Sequence, residues 1–557
     1  MTTQQAIDLG IDHHRAGRLS DAEGIYRQVL ALEPNNAQAI HLLGLVAYNV
    51  GRNDVALQLM QQAVAIDPAL LQGYGNMGLV LAAMGRGDEA IAVYRHALSL
   101  QPDYTEAMNN LGVVLYERKE LAEAIACYRR ALAIKPDYDH AINNLGNALS
   151  ENGQVEEAFA CYERVIKLSP NYADAYNNMG DIFVERNRLD DAIGYFQKAC
   201  ALRPDYAEAF SNLGNVMYRK CRMEEAVAYN RRAIALKPDL ATAHWNLGLA
   251  LLCRGEFPEG WREYAWRTRV RDMDGSCREF SQPLWDGGAL GGRTILLHAE
   301  QGIGDSIQFI RYLPQVKAKG GKIMIDCGRP LMRLFQQSFA VDQWVCTGEP
   351  IPEFDVHCPL MSLPMVLGTT IQNIPAEVPY LLTDAKATEH WRQRTGEFQG
   401  LKVGVVWAGR PEHGNDRNRS MSLSTLAPLA DVPGITFFSL QKGEPAAQAR
   451  DAPAGMRLID YADELEDFAD TAALVANLDL VISVDTSVVH LAGALGKPVW
   501  ALLPFWPDWR WMVNRSDSPW YPTLRLFRQR QTGDWNPPIS EALSALRAFM
   551  KAAAAKR

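Results

Sequence analysis

Over roughly the first 250 residues the alternation of small, apolar and polar positions repeats with a period of 34. Glycine stands at positions 44, 78, 112, 146, 180, 214 and 248, alanine at 22, 56, 90, 124, 158, 192 and 226, and proline at 34, 68, 102, 136, 170, 204 and 238. Three markers in phase predict a helix–turn–helix unit. The small residues let two paired helices approach closely, and the proline stops the second helix before the next unit begins. Counting from Gly10, seven full units reach about residue 240, and Asn246 and Gly248 open an eighth whose second helix runs through Trp261, Tyr264 and Trp266. No proline closes this last unit, which is expected to cap the array and dock whatever follows.

The period is that of the tetratricopeptide repeat, so the expected fold begins as an α-solenoid. From about residue 270 the rhythm stops and Gly287, Gly288, Gly291 and Gly292 mark a turn-rich hinge. Thr294–His298 reads as a buried strand, followed by the loop Gly302-Ile-Gly-Asp-Ser306, a helix carrying Ile307, Phe309, Ile310 and Leu313, and a strand over 322–326. A second series starts with a strand at 402–407 and continues with strands at 435–439, 480–484 and 499–503. A closing helix over 539–551 is expected near the lobe junction. The expected organisation is a repeat superhelix over 1–270, a linker over 271–292, a first Rossmann-like lobe over 293–395 and a second over 396–557. Two successive doubly wound lobes place a ligand between the carboxyl ends of their strands.

Composition narrows the function. A formal charge of −9 and the lack of any dense Lys/Arg run argue against broad nucleic-acid binding. No membrane span is expected, because the most apolar stretch, Leu474 to Val484, is interrupted by Asn477 and Asp479. No secretory signal opens the chain, and nine scattered cysteines, Cys277 among them, fit free thiols in a reducing compartment, so a cytoplasmic location is expected. Cys346, His357 and Cys358 are the nearest approach to a metal cluster, and their spacing fits ordinary core residues better than a zinc site.

The chemistry concentrates at strand ends. Asp485-Thr486-Ser487, followed by Val488 on a new helix, is a phosphate trap: the helix start offers free N–H groups and positive dipole, and two hydroxyls add donors. His490 lies one turn further along the same face, in reach of a departing phosphate. Asp305, on a loop with Gly302 and Gly304, is the candidate general base, with Glu300 a weaker alternative and a simple helix cap the structural one. Arg419, in the loop after the strand ending at Trp407, is the candidate cation, with Arg410, Arg417 and Lys442 as neighbours and a solvated charge run as the alternative. Gln441, Lys442 and Glu444 follow a strand end where a ribose or sugar would sit. Trp506, Trp509, Arg510 and Trp511 form either a stacking lid over a ligand or a packed wall. Along the repeats, Asn76, Asn110, Asn144, Asn178, Asn212 and Asn246 recur two residues before the glycine; such a ladder either holds the backbone of an acceptor peptide or braces neighbouring repeats.

Val484-Asp-Thr-Ser-Val-Val-His-Leu-Ala-Gly-Ala-Leu-Gly-Lys-Pro498 resembles the donor-phosphate motif of the ADP-heptose heptosyltransferase family, and Gly302-Ile-Gly-Asp305 resembles that family's opening loop with its proposed catalytic aspartate. The resemblance spans roughly 293–530 and implies a glycosyltransferase B fold after the solenoid, with Arg419 where the heptosyltransferase pattern places a cation for the leaving diphosphate. Joined to the repeats, the layout is similar to bacterial tetratricopeptide-repeat protein glycosyltransferases, including flagellin-modifying ones. The resemblance implies an inverting, metal-independent enzyme with no cofactor, a nucleotide-sugar donor and a protein acceptor, flagellin being one candidate. The alternatives are a glycan or lipid-linked acceptor, and a repeat adaptor with a silent sugar-nucleotide lobe. Oligomeric state, donor nucleotide and sugar are not readable from these residues.

Overall fold

In the computed structural model, which describes residues 1–270, 278 and 280–556, the 34-residue period becomes eight helix pairs, from Thr3–Arg15 with Leu19–Leu32 to Ala241–Arg254 with Phe257–Tyr264. Ala22, Ala56, Ala90, Ala124, Ala158, Ala192 and Ala226 are all fully buried. A methyl group added at Gly10, Gly112, Gly146 or Gly180 would come within 2.6 Å of the ring of Tyr26, Tyr128, Tyr162 or Phe196. In these four pairs the aromatic residue of the second helix therefore lies directly on the glycine of the first, a contact no side chain would permit. The second helices end at Leu32, Ile66, Leu100, Ile134, Leu168, Leu202 and Leu236, in each case two residues before the proline.

A fourth marker shares the period. The turn inside each pair needs a left-handed residue, which is Gly17, Gly51, Gly85, Gly153 or Gly255 in five pairs. Lys119, Asn187 and Cys221 hold the same conformation in the other three, at φ of +64°, +57° and +56°.

The chain divides into two compact units, Met1–Ala209 and Phe210–Arg557. The repeat pattern ends near 270, but the last repeats belong to the second unit. There Trp261 Nε1 donates to the Thr369 carbonyl at 3.1 Å and the Trp261 ring meets Trp509 edge-on at 5.1 Å. Tyr218 Oη donates to the Pro507 carbonyl at 3.3 Å. The unclosed eighth pair thus docks on the α/β part through aromatic side chains.

Two parallel sheets follow. The first contains β1 (Thr294–His298), β2 (Lys322–Cys327), β3 (Gln343–Cys346) and β4 (Val356–Pro359) in the order β3-β2-β1-β4. The second contains β5 (Leu401–Val406), β6 (Ile435–Ser439), β7 (Leu458–Asp460), β8 (Leu480–Val484), β9 (Val499–Leu503) and β10 (Leu524–Arg528) in the order β10-β9-β8-β5-β6-β7. Each is doubly wound, with its order reversing beside its first strand, between β1 and β4 and between β5 and β8. β3, β4, β7 and β10 carry no expectation from sequence: three have only three or four residues, and arginines break the apolar run of β10.

Two expectations change. The closing helix runs over Asn536–Lys556 and packs Ile539, Ala542, Ala545 and Leu546 into the core of the second sheet with Trp500 and Phe527, not at the lobe junction. Its apolar stripe is long enough to cover that face. The linker is not free either. Leu284 bridges to His357 on β4, and Trp285 is buried beside it. Residues 271–277, including Cys277, and residue 279 lie outside the described residues.

Candidate active site

The loop after β1 turns through Gln301, at φ +45°, into the short helix Ile303–Phe309. Asp305 is its third residue. Its Oδ2 accepts from the Gly302 N–H at 2.8 Å, which caps the helix, while Oδ1 accepts from Arg510 Nη2 at 2.5 Å. Capping and site chemistry thus use different oxygens of one carboxylate.

The loop after β8 turns at Thr486 into the helix Ser487–Ala494. Thr486 Oγ1 lies 3.0 Å from Ser483 Oγ and makes no side-chain cap, while the Val489 N–H donates to the Thr486 carbonyl at 3.1 Å, so the N–H groups offered at the helix start are those of Ser487 and Val488. The two helix starts are close because residue 304 is glycine. A Cβ there would lie 2.9 Å from His490 Cδ2 and 3.4 Å from Ser487 Cα.

Two guanidinium groups join the loops. Arg419, at the end of the turn Asp416–Arg419 after β5, donates from Nη1 to the Asp485 main-chain carbonyl at 3.1 Å and pairs with Asp416 at 3.3 Å. Arg510, after β9, is buried and donates from Nε to Gln308 Oε1 at 2.7 Å and from Nη1 to Asp508 at 2.8 Å, besides its bond to Asp305. Gln308 and Asp305 are three residues apart on one helix face, so Arg510 spans a single turn.

Burial pushes the Asp305 carboxyl above its ordinary range, outweighing the pull of Arg510, and Asp508 adds to the rise. Burial, with Asp508 next, lifts Asp485 to about 6 against the opposing pull of Arg419. For Arg510 burial works against the charge, and Asp508 and Asp305 together hold it above its usual value. His413, in the loop before Arg419, is lowered by burial and by Arg419, and senses Asp305 and Asp508. Carboxyl groups with raised pKa thus stand beside fixed cations at the carboxyl ends of four strands, which makes the cluster a candidate site.

Other sequence candidates take different places. Gln441 is buried and spent on backbone: its Oε1 accepts from Trp407 and Ala408 N–H at 3.1 and 2.9 Å, and its Nε2 donates to the carbonyls of Ala408 and Lys442. It staples the ends of β5 and β6 together. Lys442 donates to the carbonyls of Ala462 and Leu465 at 2.5 and 2.9 Å, while Glu444 is exposed at the start of a 3₁₀ turn. His490 is buried, 3.0 Å from Tyr521 Oη through Nδ1 and stacked on Trp511, and burial holds it neutral, so it brings no charge to a leaving phosphate. Glu300 is locked in a buried ion pair with Arg267, which removes it as a base.

The tryptophan-rich segment is a wall rather than a lid. Trp509, Arg510 and Trp511 are buried, and Trp506 lies half-buried under the Arg219 guanidinium. The contact of Arg510 with Asp305 and Gln308 escaped the sequence because those two partners lie some 200 residues away.

The ladder amides face the preceding repeat. Asn76 Nδ2 is 2.8 Å from His41 Nε2, Asn144 Nδ2 donates to Asn109 at 3.0 Å, Asn178 Nδ2 to Asn143 and Asn147 at 3.2 and 2.7 Å, and Asn246 Nδ2 to Ser211 at 3.3 Å. Asn110 accepts from Asn109, and Asn212 is also engaged. The bonds of Asn76, Asn144, Asn178 and Asn246 brace repeat on repeat, while that of Asn110 stays within its own helix.

Tetratricopeptide-repeat models match in succession from residue 7 to residue 220, and the glycosyltransferase family 9 (heptosyltransferase) model matches residues 434–504. Along the chain, the tetratricopeptide-repeat matches thus precede a match to the glycosyltransferase family 9 model. The family 9 match spans β6 to β9 and includes Asp485, Thr486 and His490; Asp305 and Arg419 lie outside it.

Protein FlbA of Caulobacter vibrioides is 28% identical over 322 residues, covering 54% of each chain, so the match spans about half of that relative. Among solved structures, the chain is similar to the Cut9–Hcn1 hetero-tetramer of the APC/C, at 18% identity and TM-score 0.40 over 43% of this chain and 48% of that one. It is also similar to MamA, at 25% identity and TM-score 0.27 over 30% of this chain and 97% of that one. Among the described residues no helix is long and apolar enough to cross a membrane.

Proposed function

We propose that this repeat-bearing family 9 protein is an inverting glycosyltransferase of the glycosyltransferase B type, using a nucleotide-sugar donor and a protein acceptor. The observation that carries this reading is the pair of closely approaching helix starts, Asp305 on one and Asp485-Thr486-Ser487 on the other, the first bonded by Arg510 and the second by Arg419. The donor diphosphate takes the N–H groups at the Ser487 helix start and the Arg419 guanidinium. Asp305 removes the proton of the acceptor hydroxyl as its oxygen bonds to the anomeric carbon. The bond from that carbon to the diphosphate oxygen breaks on the opposite face, the nucleoside diphosphate leaves with the electron pair, and the centre inverts.

Fixed cations and helix ends take the developing charge, so the reaction should persist in EDTA with no cofactor. The acceptor is a protein presented by the repeats, flagellin being one candidate. The eight described cysteines, all unpaired, support a cytoplasmic site of action.

Asp305→Asn tests the base. The variant should still bind nucleoside diphosphate while turnover falls by about 100-fold or more; wild-type turnover would remove Asp305 from the mechanism. Thermal-shift screening against ADP, UDP, GDP and CMP identifies the donor nucleotide, since a ligand bound only by the native state raises its stability.

A second reading, with a glycan or lipid-linked acceptor, gains from the bracing bonds of the asparagine ladder. Under it, a soluble saccharide is glycosylated in the absence of any protein acceptor.

A further inference from the structure

In a doubly wound sheet the crevice for a ligand opens where the strand order reverses. In the first sheet that point lies between β1 and β4, and a side chain of the repeats fills it. Arg267, on the 3₁₀ turn Ala265–Arg269 that ends the eighth pair, donates from Nη2 to Glu300 Oε2 at 2.6 Å and to Ser362 Oγ at 2.9 Å. Glu300 follows β1 and Ser362 follows β4, so one guanidinium ties both strand ends. Its plane also lies over the Tyr264 ring. The ion pair is sealed from water, with side-chain exposures of 2% for Arg267 and 3% for Glu300. Between Glu300 and the Asp305 helix stand only Gln301, in the left-handed conformation, and Gly302, whose N–H the Asp305 carboxylate accepts.

A buried ion pair is a poor device for stability, because desolvation offsets its attraction, but it holds a geometry strictly. We propose that Arg267 is a positioning residue, by which the end of the repeat array sets the loop that carries Asp305. The mechanistic consequence rests on the role given to Asp305 above; the mechanical link from Arg267 through Glu300 to residues 299–309 stands apart from it.

Hydrogen exchange on the full-length chain tests the link without any substrate. Arg267→Met should speed exchange of the backbone amides over 299–309 by about tenfold or more, because the buried carboxylate left without its partner turns outward and takes the loop with it. Peptides over 257–264 and 504–511, which carry the aromatic docking, should exchange as in the wild type. Arg267→Lys, which keeps a cation in reach of Glu300, should restore most of the protection. Should Arg267→Met fail to fold, Arg267→Met with Glu300→Gln removes the tie without burying an unpaired charge, and exchange over 299–309 should still rise above that of the docking peptides, though less than with the carboxylate present.

Unchanged exchange over 299–309 overturns the proposal. So does a rise spread equally over the docking peptides, which would make Arg267 a docking residue, and so does a lysine variant as open as the methionine one. Full activity in Asp305→Asn would instead strike the general-base reading and leave the link between Arg267 and the loop standing.

Discussion

At the scale of single residues, the site depends on carboxyl groups held where water would not leave them. Asp485 titrates near 6 in the folded protein against 3.8 for an ordinary aspartate. The fold therefore prefers its protonated form, a preference that favours the native state below about pH 4 and is lost as pH rises through about 6. Replacing it with asparagine should stabilise the protein by about 1–3 kcal/mol at pH 8, with the gain shrinking below pH 6. Thermal melts of Asp485→Asn across that range check the sign, and equal midpoints at pH 8 and pH 4.5 would refute it. A diphosphate placed beside Asp485 raises its pKa further, so nucleotide binding near pH 7 should take up a proton, seen as a buffer-dependent heat in titration calorimetry. Asp305 and Asp485 were legible in the sequence because each follows a strand and opens a helix. Arg510 was legible only as a basic residue among tryptophans, since nothing local in its sequence points to a partner across the site.

At the scale of elements, one period governs helices, turns and the contacts between them. The glycine, alanine and proline markers were legible because each position tolerates almost no other residue. The left-handed turn position was not, because Lys119, Asn187 and Cys221 interrupt its glycines. Lys119 holds φ +64° and contributes in exchange an exposed pair with Glu151 and a contact of its ammonium with the Tyr116 ring at 5.8 Å. Lys119→Gly should therefore stabilise the Met1–Ala209 unit by about 0.5–1 kcal/mol, against the usual cost of glycine. A lower unfolding midpoint in urea would show that the lysine is relaxed there. In the sheets, five-residue runs that are mostly apolar, with Thr436, Ser439 and Ser483 the polar members, sufficed to mark β6, β8 and β9, whereas β3, β4 and β7 are too short for any period to show.

At the scale of the whole molecule, the compact unit and the repeat boundary differ. Cutting the chain where the repeats end would expose Trp509 and Trp520, which pack on Trp261 and Phe257, and leave Glu300 without Arg267. A fragment from Ala207 to the end, which retains the last two helix pairs, should fold with a cooperative melt. One beginning at residue 280 should aggregate or melt at least about 10 °C lower, since losing several aromatic contacts and a buried pair costs on the order of 5 kcal/mol. Light scattering and circular dichroism of the two fragments decide it; equal melts would make the docked repeats dispensable. What the sequence determined by itself was periodic or local: the repeat and its close-packed helix pairs, the main buried strands, and the strand–Asp-Thr-Ser–helix and Gly-Ile-Gly-Asp signals. These depend on backbone conformation and burial within one element, so residues near in the chain carry them. Tertiary structure alone decided that Gly304 brings two helix starts together, that Arg510 joins Asp305 to Asp508, that Gln441 and the ladder asparagines are spent on bracing, and that Arg267 fills the crevice of the first sheet. Each is a pairing of charge, hydrogen bond or close contact between distant segments, whose strength comes from exclusion of water that only the assembled fold provides.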